Sequence, residues 1–182
     1  AVAGHIVHLD NVGTQTTAVT ISGFVTGTLG DKVIVSNATT AQIGVIGATT
    51  GLTAANIVVD IQSTGFVASG FNATVASAAD LVVLSGSTFQ ISGNLTSTGS
   101  GSAVATAIIA AGLVSDGTAR FGYIALDNGT DTGLYRVQLD ADVGGASATI
   151  VDTAADVVTI NLVGVLSGVA DSGTLAAANF GG

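Results

Sequence analysis

The residues that could do chemistry in this chain are mostly aspartates, and several of them lie close together. Asp127, Asn128 and Asp131 occupy one short stretch, and Asp140 and Asp142 follow soon afterwards. Carboxylate and amide oxygens are the ligands that Ca²⁺ prefers, so calcium is the candidate cofactor. The stretch lacks the spacing and the final Glu of an EF-hand loop. Asp, Asn and Gly are also common in tight turns, and a simple turn is the alternative interpretation.

The two histidines are the other candidate metal ligands. His5 and His8 are three residues apart, a spacing that places them on opposite faces of a strand. A zinc site would also need Asp10, because the chain has no Cys. We therefore expect ordinary histidines rather than a metal site.

The sequence gives little support for a nucleophilic catalytic site. The chain has no Cys, and the Gly-x-Ser-x-Gly pattern of serine hydrolases is reduced to Gly99-Ser100-Gly101. Composition alone does not exclude a Ser/His/Asp arrangement. We predict that the protein is not an enzyme.

The composition is apolar and nearly uncharged. Of the 182 residues, 48% are hydrophobic and only 8% are charged, about a third of the usual share. All 12 acidic residues are Asp, opposed only by Lys32, Arg120 and Arg136, and the net charge is −9. Binding to nucleic acid needs clustered Lys and Arg. We therefore expect no nucleic-acid partner.

The sequence contains no candidate transmembrane helix, because polar or Gly residues interrupt every apolar run within a few residues. We expect no membrane insertion. The chain begins at Ala1 without Met or a basic, apolar leader, and we interpret it as part of a processed or longer precursor.

The composition indicates many short strands joined by tight turns. Aromatic residues make up 4% of the chain, and 26 Gly residues interrupt runs rich in Val, Ile, Thr and Ala. We predict an all-β fold, a β-sandwich or stacked β-sheets with one short helix. In a strand at 18–25, Val19, Ile21 and Val25 share one face and Phe24 lies on the other. The other strands are predicted at 32–36, 57–61, 80–84, 88–92 and 157–163, and those at 32–36 and 80–84 are apolar enough for burial on both faces.

The second half of the chain carries the clearest local signals. Residues 103–111 are rich in Ala, with Ser102 as an N-cap and Gly112 as the C′ residue, which predicts the helix. Residues 120–126 and 134–139 flank a polar, Gly-containing loop and predict a β-hairpin.

A stretch rich in Ser, Thr and Gly, at 93–101, is a candidate domain boundary. It divides the chain into an N-terminal β region, 1–93, and a C-terminal β region, 94–182, that contains the helix and the hairpin. Such loops also occur within domains, so one single domain is the alternative.

Four segments resemble the C-terminal regions of RTX-type and S-layer-like proteins that bacteria export by type I secretion. They are TISGFVTGTLGDKVI at 20–34, FGYIALDNGTDTGLYRVQLD at 121–140, DVVTINLVGV at 156–165 and LAAANF at 175–180. The resemblance implies a secreted bacterial protein of the cell surface or extracellular space. The Gly-Gly-x-Gly-x-Asp nonapeptides that bind calcium in a β-roll do not occur, so that structure does not carry over.

These features favour a structural subunit of a self-assembling surface layer or filament. Uncharged strands rich in Thr and Val offer backbone groups with which another copy of the chain can pair. The N-terminal run at 1–9 is the candidate for a strand donated between subunits, and an ordinary edge strand is the alternative. The residues that would carry this joint are Ala1, Val2, Ile6, Val7 and Leu9.

The rival hypothesis is a surface adhesin or ligand-binding β module whose partner is a cell-surface polysaccharide. Sugar-binding faces usually expose aromatic rings. In this chain Tyr123 and Tyr135, on the facing strands of the predicted hairpin, are the candidates.

Overall fold

The computed structural model shows a chain folded mostly into strands, with one α-helix in the part that it describes. The predicted all-β class with one short helix is therefore confirmed. The described residues are 4–9, 17–35, 57–61, 81–113, 120–140, 143 and 151–180. The strands are β1 (Ile6–Leu9), β2 (Val19–Ser22), β3 (Lys32–Val35), β4 (Ile57–Ile61), β5 (Leu81–Ser85), β6 (Arg120–Asp127), β7 (Asp131–Leu139) and β8 (Val157–Ser167). Helix α1 (Ala103–Ala110) lies between β5 and β6, and 3₁₀ turns follow β8 at Ser172–Thr174 and Ala177–Asn179.

The described strands form two sheets. The larger sheet has six strands in the order β2-β8-β7-β6-β5-β4, and the smaller one is the parallel pair β1–β3. In the larger sheet β6, β7 and β8 are antiparallel, whereas the outer pairs β2–β8, β4–β5 and β5–β6 are parallel. Strands from both sides of residue 93 therefore share one sheet.

Both faces of the larger sheet are buried. Side chains alternate along β5, so Val82 and Leu84 join the core beneath α1, while Leu81 and Val83 join a second core on the opposite face. The second core also contains Leu9 and Val33 from the two strands of the smaller sheet, together with residues near the C-terminus. The burial on both faces that was predicted for the strand at 80–84 is confirmed for residues 81–84, because every residue of β5 is buried; Asp80 lies outside the described residues.

The predicted hairpin is confirmed and is longer than the sequence indicated. Strands β6 and β7 pair from Arg120↔Leu139 to Asp127↔Thr132. At the turn, Gly129 has φ of +81°, a left-handed conformation that glycine adopts without a steric penalty. The final strand is also longer than predicted, since β8 continues to Ser167.

The prediction of a strand at 88–92 is wrong. The backbone N–H groups of Phe89 and Gln90 both donate to the carbonyl of Gly86, and the chain makes a turn there. Phe89 and Ile91 nevertheless lie in the core beneath α1. The alternation in the sequence therefore reported burial correctly but not strand pairing.

The strand predicted at 18–25 is shorter than expected, and the prediction of which residues share a face is partly wrong. Strand β2 stops at Ser22, and Gly23 follows with φ of +70°. The change of direction sends Phe24 into the same core as Ile21, whereas Val25 is exposed. Strict alternation fails because the turn interrupts it.

Helix α1 begins and ends as predicted. The Ser102 side chain accepts a hydrogen bond from the backbone N–H of Ala105 at 3.1 Å, and Gly112 has φ of +59° just beyond the helix. Val104 and Ile108 are completely buried against the larger sheet. The helix covers one face of the sheet while it connects two parallel strands.

Replacing the helix cap should weaken the fold measurably. We expect Ser102→Ala to lower the free energy of unfolding by about 1 kcal/mol, because the Ala105 N–H loses its acceptor. Urea denaturation followed by circular dichroism measures this change. Ser100→Ala, at an exposed position of the same loop, is the matched control and should change stability by less than about 0.5 kcal/mol. Equal effects of the two variants would contradict the capping role.

Candidate assembly edge

The predicted calcium ligands are divided between the two ends of β7. Asp127, Asn128 and Asp131 lie together around the hairpin turn. Asp140 follows the other end of β7, and a strand of 9 residues spans about 30 Å. One ion therefore cannot bind both groups. Asp142 lies outside the described residues.

The Asp127 side chain joins three parts of the chain. It is buried, and its Oδ1 accepts hydrogen bonds from Gln90 Nε2 at 2.9 Å and from the Gly129 N–H at 3.0 Å. The Ser172 N–H donates to Oδ2 at 2.9 Å. The carboxylate thus ties the hairpin turn to the 86–91 turn and to the first 3₁₀ turn.

Asn128 and Asp131 hold the hairpin turn itself. Asn128 Oδ1 accepts from the N–H groups of Thr130 and Asp131 at 3.1 and 2.9 Å, and its Nδ2 donates to the Gly93 carbonyl at 2.9 Å. Asp131 Oδ1 accepts from the Gly168 N–H at 2.8 Å. These contacts are those of the turn interpretation. Among the described residues no group of three or more His, Cys, Asp or Glu forms a metal site, and calcium binding remains a prediction.

The histidines lie at the start of the smaller sheet. His5 directly precedes β1, its ring is largely exposed, and its Nδ1 lies 3.3 Å from Asp31 Oδ1. His8 is in β1, and Asp10 lies outside the described residues. The structure therefore gives His5 a carboxylate neighbour that the sequence did not indicate.

Asp31 connects the beginning of β1 to the loop before β3. Its Oδ1 accepts from the His5 N–H at 2.6 Å, and its Oδ2 accepts from the Val25 N–H at 2.9 Å. The Asp31 N–H donates back to the Val25 carbonyl at 2.7 Å. The backbone hydrogen bonds from Val25 and His5 lower the pKa of the buried Asp31 carboxyl below its ordinary value.

Asn179 fixes the C-terminal segment to the same loop. The side chain is completely buried, and its Oδ1 accepts from the N–H groups of Gly27 and Ala176, both at 2.9 Å. Its Nδ2 donates to the Asp31 carbonyl at 2.8 Å and to the Gly27 carbonyl at 3.1 Å. The adjacent Phe180 is buried and forms a parallel bridge with Val33 of β3.

Sequence reasoning missed both Asp31 and Asn179. Asp31 lies in a Gly-Asp-Lys turn with no local sign of its partners, and Asn179 bonds to residues about 150 positions away. Only the pairing of β1 with β3 and the return of the C-terminal segment bring these groups together. No single-segment pattern encodes such an arrangement.

The residues proposed for a donated strand lie within the molecule's own sheet. Strand β1 pairs with β3 in the same chain, from Ile6↔Lys32 to Leu9↔Val35. Leu9 is buried, and a Cβ on Gly164 would lie 3.1 Å from Leu9 Cδ1, so glycine lets the smaller sheet approach β8 closely. Val7 is partly buried beside the same core, whereas Ile6 is exposed. Ala1 and Val2 lie outside the described residues.

The two tyrosines are not on an exposed sugar-binding face, so that expectation is wrong. Tyr123 and Tyr135 are 3% and 0% exposed. Alternation along β7 places Tyr135 in the core beneath α1 together with Val137 and Leu139, and its hydroxyl donates to the Leu95 carbonyl at 2.9 Å. Burial raises the pKa of Tyr135. Both rings contribute to the cores.

Comparisons with known proteins give no match. No family model matches the chain, and neither a curated protein nor a solved structure matches it. Within the described ranges no helix is long and apolar enough to cross a membrane.

Removing the Asn179 side chain should be strongly destabilising. Asn179→Ala leaves the Gly27 and Ala176 N–H groups without their acceptor in a buried site, so we expect a loss of about 3 kcal/mol in the free energy of unfolding. Asn161→Ala, at an exposed position in β8, is the matched control and should cost less than about 0.5 kcal/mol. Urea denaturation measures the free energy of unfolding of both variants. Similar losses in Asn179→Ala and Asn161→Ala would contradict the anchoring role of Asn179.

Acid should remove the stabilisation that Asp31 provides. Because the pKa of Asp31 is lowered in the folded chain, its contribution is complete above the unfolded Asp pKa of about 3.9 and is lost as the pH falls through the lower folded value. Thermal unfolding should be followed from neutral pH into acid. We expect the Tm of the wild type to exceed that of Asp31→Asn at neutral pH and the two Tm values to converge in acid. His5→Ala keeps both backbone donors and should retain most of the pH dependence. A difference between wild type and Asp31→Asn that does not change with pH would contradict this assignment.

Proposed function

We propose that this chain is a structural module that assembles with copies of itself into a surface layer or filament outside a bacterial cell. The observation that carries the proposal is the set of sheet edges that remain open within the described residues. The larger sheet ends at β2 and β4, and β1 forms an outer edge of the smaller sheet. The residues of β1 and β2 carry no charge apart from the titratable His8.

Open, uncharged edges favour association through backbone hydrogen bonds. Monomeric proteins usually protect such edges with charged side chains, Pro or a covering loop. Pairing of an edge strand with a strand from another copy satisfies its backbone groups and continues the sheet. The chain contains no Cys, so its joints would rest on hydrogen bonds, apolar burial or calcium rather than on disulfides.

The buried polar side chains have structural roles that suit such a module. The carboxylates of Asp31 and Asp127 and the amide of Asn179 each join segments that are distant in sequence. We infer a protein whose polar groups maintain the fold rather than an enzyme. The resemblance to RTX-type and S-layer-like sequences supports export by type I secretion and an extracellular location.

A groove supports the second candidate function, an adhesin or ligand-binding module. It lies between α1 and residues 88–92 and has a volume of about 380 Å³. Its polar lining consists of uncharged groups from Thr88, Gln90, Ser92 and Thr106. Hydroxyl and amide groups of this kind suit a neutral ligand rich in hydroxyls, such as a cell-surface polysaccharide.

Electron microscopy tests the structural function directly. We expect purified protein at millimolar calcium to form ordered sheets or fibres in negative stain. If the ordered sheets or fibres disappear when a chelator replaces calcium, the hairpin aspartates would be the candidate calcium ligands for assembly. If they persist, strand pairing would be sufficient for assembly without calcium. Uniform monomers under both conditions would contradict the proposal and favour the binding module, which glycan-array binding would then examine.

A further inference from the structure

The hairpin turn contains the one Asn-Gly pair in the sequence, Asn128-Gly129. Such a pair can lose ammonia in water without an enzyme. The Gly129 nitrogen gives up its proton and forms a bond to Asn128 Cγ, while the Cγ–Nδ2 bond breaks and Nδ2 leaves with that proton as ammonia. Water then opens the five-membered imide ring at either of its carbonyls and leaves aspartate or isoaspartate at position 128. Glycine permits the first step because it has no Cβ to block the approach.

The other asparagines are less reactive by sequence. Each of them is followed by a residue that has a side chain, and Asn94 and Asn161, for example, precede Leu. A side chain on the following residue obstructs the approach of its nitrogen to Cγ. In the unfolded chain, where local sequence determines reactivity, position 128 is therefore the preferred site of this reaction.

The Gly129 nitrogen is the nucleophile of the reaction, and in the folded chain it lies beside a carboxylate. Its N–H donates to Asp127 Oδ1 at 3.0 Å. Asp127 is buried, and Gln90 and Ser172 donate to the same carboxylate. Removing the proton from the Gly129 nitrogen would place a negative charge within hydrogen-bond distance of this fixed carboxylate. Repulsion between the two charges opposes the first step.

The Asn128 side chain is the other reactant, and hydrogen bonds hold both ends of its amide. Its Oδ1 accepts from the N–H groups of Thr130 and Asp131, and its Nδ2 donates to the Gly93 carbonyl. The Asn128 N–H donates to the Asp131 carbonyl at 3.1 Å. Ring closure must turn Cγ toward the Gly129 nitrogen and so pull the amide away from these partners. The folded turn therefore opposes the reaction at both reactants.

Neither product fits the turn. In aspartate an oxygen replaces Nδ2, so two acceptors would face each other where Asn128 now donates to the Gly93 carbonyl. In isoaspartate the backbone runs through the former side chain and is one methylene group longer, which disrupts the pairing that ends at Asp127↔Thr132. The turn joins β6 to β7, and these strands lie in the middle of the larger sheet. A changed turn therefore weakens the sheet at its centre.

We propose that Asn128 is a deamidation site that the folded hairpin protects, so that opening of the β6–β7 turn exposes the chain to a one-way chemical change. The modified chain lacks the donor that ties the turn to Gly93 and cannot rebuild the original turn. Unfolding becomes irreversible once the open chain is modified faster than it refolds. Self-assembly plays no part in this chemistry.

Peptide mass spectrometry of the full chain measures the modification. At one mildly alkaline pH, we expect Asn128 to convert to its acid forms at least about tenfold faster in guanidinium chloride than in native buffer. Asn94 is the internal control in the unfolded sample, where it should convert at least about tenfold more slowly than Asn128 because Leu follows it. Equal rates at Asn128 in the two solvents would overturn the proposal, as would equal rates at Asn128 and Asn94 in guanidinium chloride.

Aspartate substitutions test whether the product fits the turn. We expect Asn128→Asp to lower the urea midpoint of unfolding by about 0.5 M or more, because the donor to the Gly93 carbonyl is lost. Asn94→Asp is the matched control, since it adds the same charge at an exposed position and an aspartate oxygen still accepts the Thr96 N–H that Asn94 Oδ1 accepts at 2.9 Å. Its midpoint should stay near that of the wild type. A midpoint of Asn128→Asp equal to that of the wild type, or equal losses in the two variants, would overturn the proposal.

Discussion

Burial on both faces of the larger sheet is the constraint on which the rest of the structure depends. Aromatic residues are only 4% of the chain, so the core must be assembled from many small aliphatic side chains. Strand β5 illustrates the solution, since its side chains enter two different cores in alternation. A sheet of this kind needs a cover on each side. Helix α1 covers one face, and the smaller sheet with the C-terminal segment covers the other.

The covers are distant in sequence from much of the sheet, and buried polar side chains hold them in place. Asp31 fixes the start of β1, and Asn179 fixes the C-terminal segment to the loop before β3. Asp127 performs the same task on the larger sheet, where it binds the first 3₁₀ turn. Burying a carboxylate or an amide without hydrogen-bond partners costs free energy. Each of these side chains therefore favours the arrangement of segments that supplies its partners over other arrangements that bury a similar apolar area. Small aliphatic side chains alone would specify that arrangement less well.

Local sequence signals predicted the parts of the fold that local physics determines. The Ser102 cap, the Gly112 end of the helix and the β6–β7 hairpin each depend on residues close together in the chain, and all were correct. The strand at 88–92 failed because alternation reports burial, and a turn can bury Phe89 and Ile91 as well as a strand can. The Asp31 and Asn179 contacts depend on topology, so no spacing in the sequence could reveal them. For the same reason the buried positions of Tyr123 and Tyr135 could not be distinguished from an exposed face.

The distribution of charge connects this fold to its proposed assembly. The net charge of −9 opposes the approach of identical molecules in most orientations, while an uncharged strand edge can pair with a strand of another molecule. In the proposed assembly, the net charge and the uncharged strand edges together would favour orientations in which the edges meet and the carboxylates remain apart. The hydrogen bonds to Asp31 fix the start of β1 and stabilise the ionised form of the buried carboxylate. The same carboxylate therefore joins the loop before β3 to the start of β1 and stabilises the fold.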